Sequence, residues 1–528
     1  MLIDMSWLNA LKPFPPEEEL QRLNLYDRYN NFYEGRHEAV WGDLWDLADI
    51  QDSIDLVSSF FSRKYNGKKL PMNWFKVVSS VYADMVVGEP PRFSDANGQE
   101  ELTGIINRSD LPIVLYEACN NFIKFGNAVL KVRFQGAGSA EVGSIIENID
   151  PSIWFPVVNP DNVNEYVAHV LAWKFKEMVG SSVANLLRTE VHTAGSIDNH
   201  LYWLINDKID HEVDLNISSK YINVPAHVDT GVPYPLVFVV SNIKKRNDVY
   251  GLSDYESIEN LVKELETRII KISSILDIHS RPAMTGPDSM LTTDMETGEE
   301  TMRLNGRFFP VRTDEGAPAY LTWDGKLDSS FQEMDRLVSM IYAVTDLNPA
   351  AIGDFSGGAV ASGSALRRLL LRTISHCNRI RARFDSQLKK AIKAASILDV
   401  QGRIANSVEV DLEVIGWQDG LPSDDLENSM IEQTRANSGL TSRSSSIMRL
   451  DGCTREEAEE ELARIKEETP QNGAQNGANS GVLGAKPVPK TLNDISGSAE
   501  NSSGEKAPLT DDIVSTLKDI GYFKTSSG

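Results

Sequence analysis

The chain has 528 residues, a length that suits more than one domain. It carries 52 Lys plus Arg against 76 Asp plus Glu, a formal charge of −24. That balance argues against tight sequence-specific DNA binding, since affinity climbs with each phosphate neutralised. It permits a wall past which a polyanion slides and fits many cytosolic enzymes equally.

No apolar run approaches the roughly 18 residues a membrane helix needs. Residues 1–16 lack the basic and apolar regions of a secretory signal. Cys119, Cys377 and Cys453 are odd in number and far apart, so they predict small buried hydrophobes rather than disulfides or metal ligands.

In chain order, residues 1–70 read as mostly helical and aromatic-rich, with Trp41 and Trp45 on one face. A helix is predicted over 73–87, stopped by Gly88-Glu-Pro-Pro91 because proline blocks its continuation. Residues 111–240 read as mixed α/β, with strands at 128–134, 167–176, 201–205 and 236–240, and a further strand at 408–416.

The order between 254 and 398 is the most informative: helix, β-rich insert, helix, glycine-rich loop, long helix. The first helix carries Ile258, Leu261, Val262, Leu265, Ile269, Ile272 and Leu276 at the threes and fours of one apolar stripe. Arg281-Pro282 stops it. The insert to Trp323 has hairpin punctuation in Glu296-Thr-Gly-Glu299 and Asn305-Gly306. A second helix is predicted over 327–344. The loop 346–363 is slim and permissive, with Gly353, Gly357, Gly358, Ala350, Ala351, Ala359 and Ala361. It contains no lysine or arginine.

The long helix, expected at 364–398, carries Arg367, Arg368, Arg372, Arg379, Arg381, Arg383, Lys389, Lys390 and Lys393 against a single acid, Asp385. Pairing with acidic neighbours across a subunit interface explains these arginines better than a nucleic-acid face does. No aromatic residue occurs from Gln418 to Gly521, so the helical pattern over 423–468 has little to build a private core. Residues 469–508, rich in Asn, Gly, Ser and Pro, read as a disordered linker, and 509–523 as a short amphipathic segment.

Signatures of catalysis are missing. There is no phosphate loop, no His-Glu-x-x-His zinc helix and no Gly-x-Ser-x-Gly elbow. Asp424-Asp425 and Asp511-Asp512 stand at predicted helix starts, where the helix dipole accounts for them. The eight histidines are scattered. No cofactor, metal or catalytic residue is expected.

Several strings resemble, in the same order, landmarks of the portal proteins of tailed bacteriophages, in particular the large family like the portal of the Bacillus phage SPP1. They are Tyr26-Asp-Arg-Tyr-Asn-Asn-Phe-Tyr-Glu-Gly35, the helix from Asn73 ending in Val-Gly-Glu-Pro90, and Phe122-Ile-Lys-Phe-Gly-Asn-Ala-Val-Leu-Lys131. After them come Ile149-Asp-Pro-Ser152, Tyr234-Pro-Leu-Val, Ser241-Asn242, Tyr250-Gly-Leu-Ser-Asp254 and Ser362-Gly-Ser-Ala-Leu-Arg367. Each string alone is weak, but together they keep register from about residue 20 to 465.

The resemblance implies an α+β portal fold with wing, α-helical stem, small β-rich clip and helical crown, assembled as a ring, usually of twelve subunits. Its expected divisions are wing 1–253, stem helices 254–279 and 326–345, clip 280–325, tunnel loop 346–363, and long helix with return strand 364–417. The crown follows at 418–468, then the linker 469–508 and the segment 509–528.

The DNA-facing tip would comprise Ile352, Gly353, Asp354, Phe355, Ser356, Gly357, Gly358, Ala359 and Val360. The clip would meet its partners through Glu296, Thr297, Gly298, Asn305, Gly306 and Arg307. Arg367, Arg368, Arg372, Arg379 and Arg383 would line the subunit interface. The implied partners are double-stranded DNA passing without sequence specificity, the terminase large subunit, a head-completion or adaptor protein, and the major capsid and scaffold proteins. The implied location is the virion's portal vertex, the chain being made in the host bacterial cytoplasm. The competing reading is an enzyme of unknown chemistry with a helical lid at 254–398.

Overall fold

The computed structural model describes residues 5–42, 71–95, 98–136, 142–279, 283–287, 292–293, 300–301, 308–311, 318–321, 327–355, 363–404, 407–412, 414–418, 425–451, 453 and 455–468. Two units emerge, 1–428 and 429–528. Trp45, the linker 469–508 and the segment 509–528 lie outside the described residues.

The first unit begins with α1 (Leu20–Tyr33) and the short α2 (His37–Trp41). Arg22, Tyr26, Tyr29 and Phe32 form the buried stripe of α1, at the spacing of one helical face. Phe32 stacks on Phe75 at 4.3 Å and Tyr26 meets Phe125 at 4.6 Å, so the aromatic run is core. Phe75 belongs to α3 (Trp74–Val87), whose Asn73 cap accepts from the Lys76 amide at 2.9 Å.

After β1 (Arg92–Phe93), α4 (Gln99–Arg108) and α5 (Leu111–Phe125) lead into β2 (Asn127–Gln135) and β3 (Gly143–Ile149). An antiparallel meander follows: β4 (Trp154–Asn159), β5 (Asn162–Val179), β6 (Ser182–Thr193), β7 (Ser196–Ile205) and β8 (Lys208–Val213). β9 (His227–Asp229) pairs with β7, and β10 (Val237–Ser241) completes a three-stranded sheet ordered β10-β2-β3.

The meander is buried on both sides. Val170, Ala172, Leu187 and Leu204 pack on Phe14 and Phe155, while Ala184, Leu186 and Leu201 pack on Leu215. Lys131 of β2 reaches Glu190 of β6 at 2.6 Å, tying the two sheets together. The four strands predicted between 128 and 240 are all present. β3, β4, β6, β8 and β9 are additions.

Two long helices follow, α6 (Tyr255–His279) and α7 (Asp328–Thr345). Between them run β11 (Ala283–Pro287), β12 (Thr292–Thr293), β13 (Glu300–Thr301), β14 (Phe308–Val311) and β15 (Ala319–Leu321). β11 is central in its sheet, parallel to β14 and antiparallel to β15. β12 and β13 pair antiparallel around the predicted 296–299 turn. The turn residues themselves, and Asn305-Gly306, lie outside the described residues.

α6 and α7 pack antiparallel, with Arg268 facing Glu333 at 3.2 Å. Ile258, Val262 and Leu265 of the predicted stripe are fully buried, but Leu276 is half exposed.

The predicted long helix is two segments, α8 (Gly363–Leu369) and α9 (Leu371–Gln401). Leu370 leaves helical geometry at φ −85°, ψ 5° while its side chain anchors in the core. α9 also runs past 398 and so contains a second acid, the fully buried Asp399. Most of the predicted strand 408–416 has no strand pairing among the described residues. Among its described residues β16 (Ile415–Gly416) alone pairs, antiparallel to β1, while the Val410 amide donates to the Ser396 hydroxyl at 2.9 Å.

The second unit holds most of α10 (Asp425–Asn437), with α11 (Arg443–Asp451) and α12 (Arg455–Glu468). Glu432 is its polar centre, accepting from Arg449 at 3.0 and 2.9 Å and from Ser446 at 3.0 Å. Met430, Leu440 and Ile465 stay exposed.

Candidate functional site

Strings separated by more than a hundred residues meet where α6 begins. Gly126 ends α5 with φ +77°, and a Cβ there would lie 2.2 Å from the Gly251 carbonyl oxygen. A Cβ on Gly251 would lie 2.1 Å from the Gly126 oxygen. Only glycines let the two segments pass.

The Asn242 amide donates to the Gly126 carbonyl at 2.8 Å, and its side chain donates to Leu252 O at 3.1 Å and Asp254 Oδ1 at 3.0 Å. Asn127 donates to the Tyr26 hydroxyl at 3.0 Å and accepts from the Gly251 amide at 3.1 Å. The Ser253 hydroxyl donates to Lys124 O at 2.6 Å and accepts from the Tyr255 amide at 3.1 Å, closing α5 and opening α6 with one group. Four of the collinear strings, those holding Tyr26, Gly126, Asn242 and Asp254, thus meet in one joint that fixes where a long helix leaves the body.

The far end of α7 returns to the same place. Asp346 caps it in the left-handed region, φ +61°. Its carboxylate takes Arg379 at 2.8 Å, Arg372, and His376 at 3.3 Å, all from α9. Burial works against ionisation of Asp346, but hydrogen bonds from Arg379, Arg372 and His376 outweigh it and hold the carboxyl below its usual range.

The Thr373 hydroxyl donates to the Asp346 carbonyl at 2.8 Å and accepts from the Asn348 amide at 3.0 Å. Asn348 then caps the short turn Pro349–Ile352 through the Ala350 amide at 2.9 Å. Tyr82 of α3 stacks on the His376 ring at 4.4 Å and donates its hydroxyl to the Thr345 carbonyl. Replacing Tyr82 with Phe should cost about 1 kcal/mol, the net worth of one such bond, read as a lowered urea midpoint with unchanged slope.

The predicted loop therefore has a fixed base and an exposed continuation. Leu347 and Ala350 are buried, whereas Ile352 and Phe355 are 40% and 46% exposed. Gly353 takes φ +83°, and Asp354 is exposed. Ser356, Gly357, Gly358, Ala359 and Val360 lie outside the described residues, as do all six expected clip contacts: Glu296, Thr297, Gly298, Asn305, Gly306 and Arg307.

Of the five interface arginines, Arg372 and Arg379 reach Asp346, and Arg383 donates to Ser241 O at 3.0 Å. These partners belong to the same chain. Arg367 and Arg368 are exposed on α8. Arg381 caps α3, donating to Met85 O at 2.5 Å.

Asp254, His376 and Tyr82 were missed as site residues in the sequence. Their only sequence signal is membership of the quoted strings for Tyr82 and Asp254, and none marks His376. Cys119 and Cys377 are buried nearby, while Cys453 is half-buried. Among the described residues no group of three or more His, Cys, Asp or Glu is arranged to hold a metal. Among the same residues, no helix is long and apolar enough to cross a membrane.

The family model described as "Phage portal protein, SPP1 Gp6-like" matches residues 16–474. The chain belongs to this SPP1 Gp6-like phage portal protein family. It is a structural component of the phage virion, at the portal vertex that connects head to tail, and not an enzyme. The lidded-enzyme reading of 254–398 falls with that membership.

No curated protein matches the chain. Among solved structures it is similar to a chain in "Neck of empty GTA particle computed with C6 symmetry", with 14% identity, TM-score 0.39, and 76% of this chain and 93% of that one covered. The same coverage holds for "Virion of native gene transfer agent (GTA) particle", at 13% identity and TM-score 0.36. It holds too for "Neck of native GTA particle computed with C12 symmetry", at 14% and 0.35.

Proposed function

We propose that copies of this chain close into a ring, of twelve subunits by the family resemblance, whose axial channel passes double-stranded DNA during packaging and ejection. The observation that carries the reading is the apolar surface a single chain leaves uncovered around the joint. Met340 and Val344 on α7, and Leu369 and Leu371 at the break between α8 and α9, are all 40–65% exposed. Apolar residues gathered in this way call for a partner surface. A heterologous contact whose rotation closes supplies one from the next copy without leaving any subunit unpaired.

In this reading 1–253 form the wing, α6 and α7 the stem, 280–325 the clip and 418–468 the crown. The loop 346–363 projects into the channel. It has no cation, so its tip meets DNA through shape and backbone groups, indifferent to sequence. Arg367 and Arg368, with the outward sides of Arg372 and Arg379, meet acidic groups of the next subunit. The clip receives the terminase large subunit and afterwards a head-completion or adaptor protein. The wing and crown face the major capsid and scaffold proteins.

Negative-stain images and the mass of the purified chain test this. Annular particles with a central hole and a mass many times 58.6 kDa are expected. A persistent monomer, or an oligomer solid along its axis, rejects the proposal.

A further inference from the structure

The joint poses a problem of hydrogen placement. His376 Nδ1 lies 3.3 Å from Asp346 Oδ2. That carboxylate is kept ionised by two arginines and can only accept, so Nδ1 carries the hydrogen and donates it. His376 Nε2 is then turned toward Asp254 Oδ2 at 3.7 Å. Asn242 donates to the other oxygen, Oδ1, at 3.0 Å, and Oδ2 has no hydrogen-bond partner.

With a neutral imidazole and an ionised Asp254, two lone pairs would confront each other in a mostly buried place. One proton resolves the conflict, either as an Asp254 O–H directed at Nε2 or as an imidazolium N–H directed at the carboxylate. Both arrangements hold the same number of protons and belong to the pair.

Every element packed on the pair bears on it. α7 contributes the Asp346 charge, α9 contributes Arg372 and Arg379, and the segment before α6 contributes Asn242. α3 contributes Tyr82, whose hydroxyl burial pushes up. α5 and α9 contribute Cys119 and Cys377, whose thiols burial also pushes up. These three stay neutral around neutral pH.

We infer that Asp254 and His376 form a one-proton latch that clamps the start of α6 to α9 and, through Asp346, fixes the base of the loop. With the proton in place the three elements are held together. Without it, an ionised Asp254 faces an imidazole lone pair across the joint and lies close to the Asp346 charge.

Burial, resisted by the Asn242 hydrogen bond and aided by the Asp346 charge, pushes the Asp254 carboxyl up to about 7. Burial and Arg379 together lower His376, against the pull of Asp346. The proton therefore rests on Asp254. A carboxyl raised in the folded state contributes stability that is full below its ordinary range and lost as pH rises through its folded value. The clamp is therefore tight in mild acid and slack above about pH 7.

Amide hydrogen exchange on the full-length chain tests the latch, with protection referred to intrinsic rates at each pH. Its readout lies within one chain and does not depend on ring closure. Protection of 342–352 should fall about tenfold between about pH 6 and about pH 8 in the wild type. It should stay level in Asp254→Asn, whose amide donates to Nε2 at every pH. His376→Gln, whose amide donates to an ionised Asp254, should also remove the step, and it serves if Asp254→Asn does not fold. A level wild-type profile, or a step that survives in either folded variant, overturns the inference.

Discussion

Deleting residues 352–360 is expected to leave annular particles intact and to reduce DNA packaging to background. The deletion spares the side-chain anchors of the loop base and removes Ile352, the last residue of its turn, with the Gly353 and Asp354 amides that close on Ala350 O and Pro349 O. Asp346, Leu347, Asn348 and Ala350 remain, with their ties to Arg372, Thr373 and Arg379. Among the described residues it removes, Ile352, Gly353, Asp354 and Phe355 are all exposed, so no core is opened. The loss therefore falls on whatever the loop tip touches. Counting rings in micrographs and measuring nuclease-protected DNA in heads separates assembly from transport. Normal packaging by deleted rings would remove the loop from the transport path, and loss of rings would mean that the loop belongs to the subunit interface.

Asp399→Ala is expected to destabilise the chain by about 3–5 kcal/mol, the usual cost of breaking a buried ion pair. Asp399 is fully buried. It accepts from the Ser144 amide at 2.5 Å and the Ser144 hydroxyl at 2.9 Å, and it pairs with Arg108. Its loss strands groups from α4 and β3 at once.

The pH profile carries a second signature. Burial first, then the hydrogen bond and charge of Asp399, raise the Glu101 carboxyl to about 7. The folded wild type therefore favours protonated Glu101, whose contribution is full in acid and lost as pH rises through about 7. Without the Asp399 charge, and with Arg108 at 3.5 Å from Glu101, that dependence should flatten. Urea midpoints at several pH values, with Asp399→Asn as the variant that keeps one acceptor, read both effects. A cost below about 1 kcal/mol would place the site among exposed, weakly coupled pairs.

Elements whose cause is local were legible in the residues. α3 starts at a capping Asn73 and stops before Pro90-Pro91, and α6 and α7 follow apolar periodicity to within a residue or two of their ends. Other elements gave no local sign. β6 reads Leu-Leu-Arg with no clean alternation because both its faces are covered. The break at Leu370 has no proline or glycine to announce it. The side chain at the break is buried in the core.

The sequence by itself carried the collinear strings that resemble the portal family. It also determined the order of helices and β-rich insert and a slim cation-free loop, because composition and spacing express these over a few residues. Tertiary structure alone decided that Gly126 passes Gly251, that Asp346 gathers Arg372 and Arg379, and that Asp254 faces His376. Each is a contact between residues distant in the chain. Its sign and strength depend on burial and on separations of a few ångströms, which no local pattern encodes.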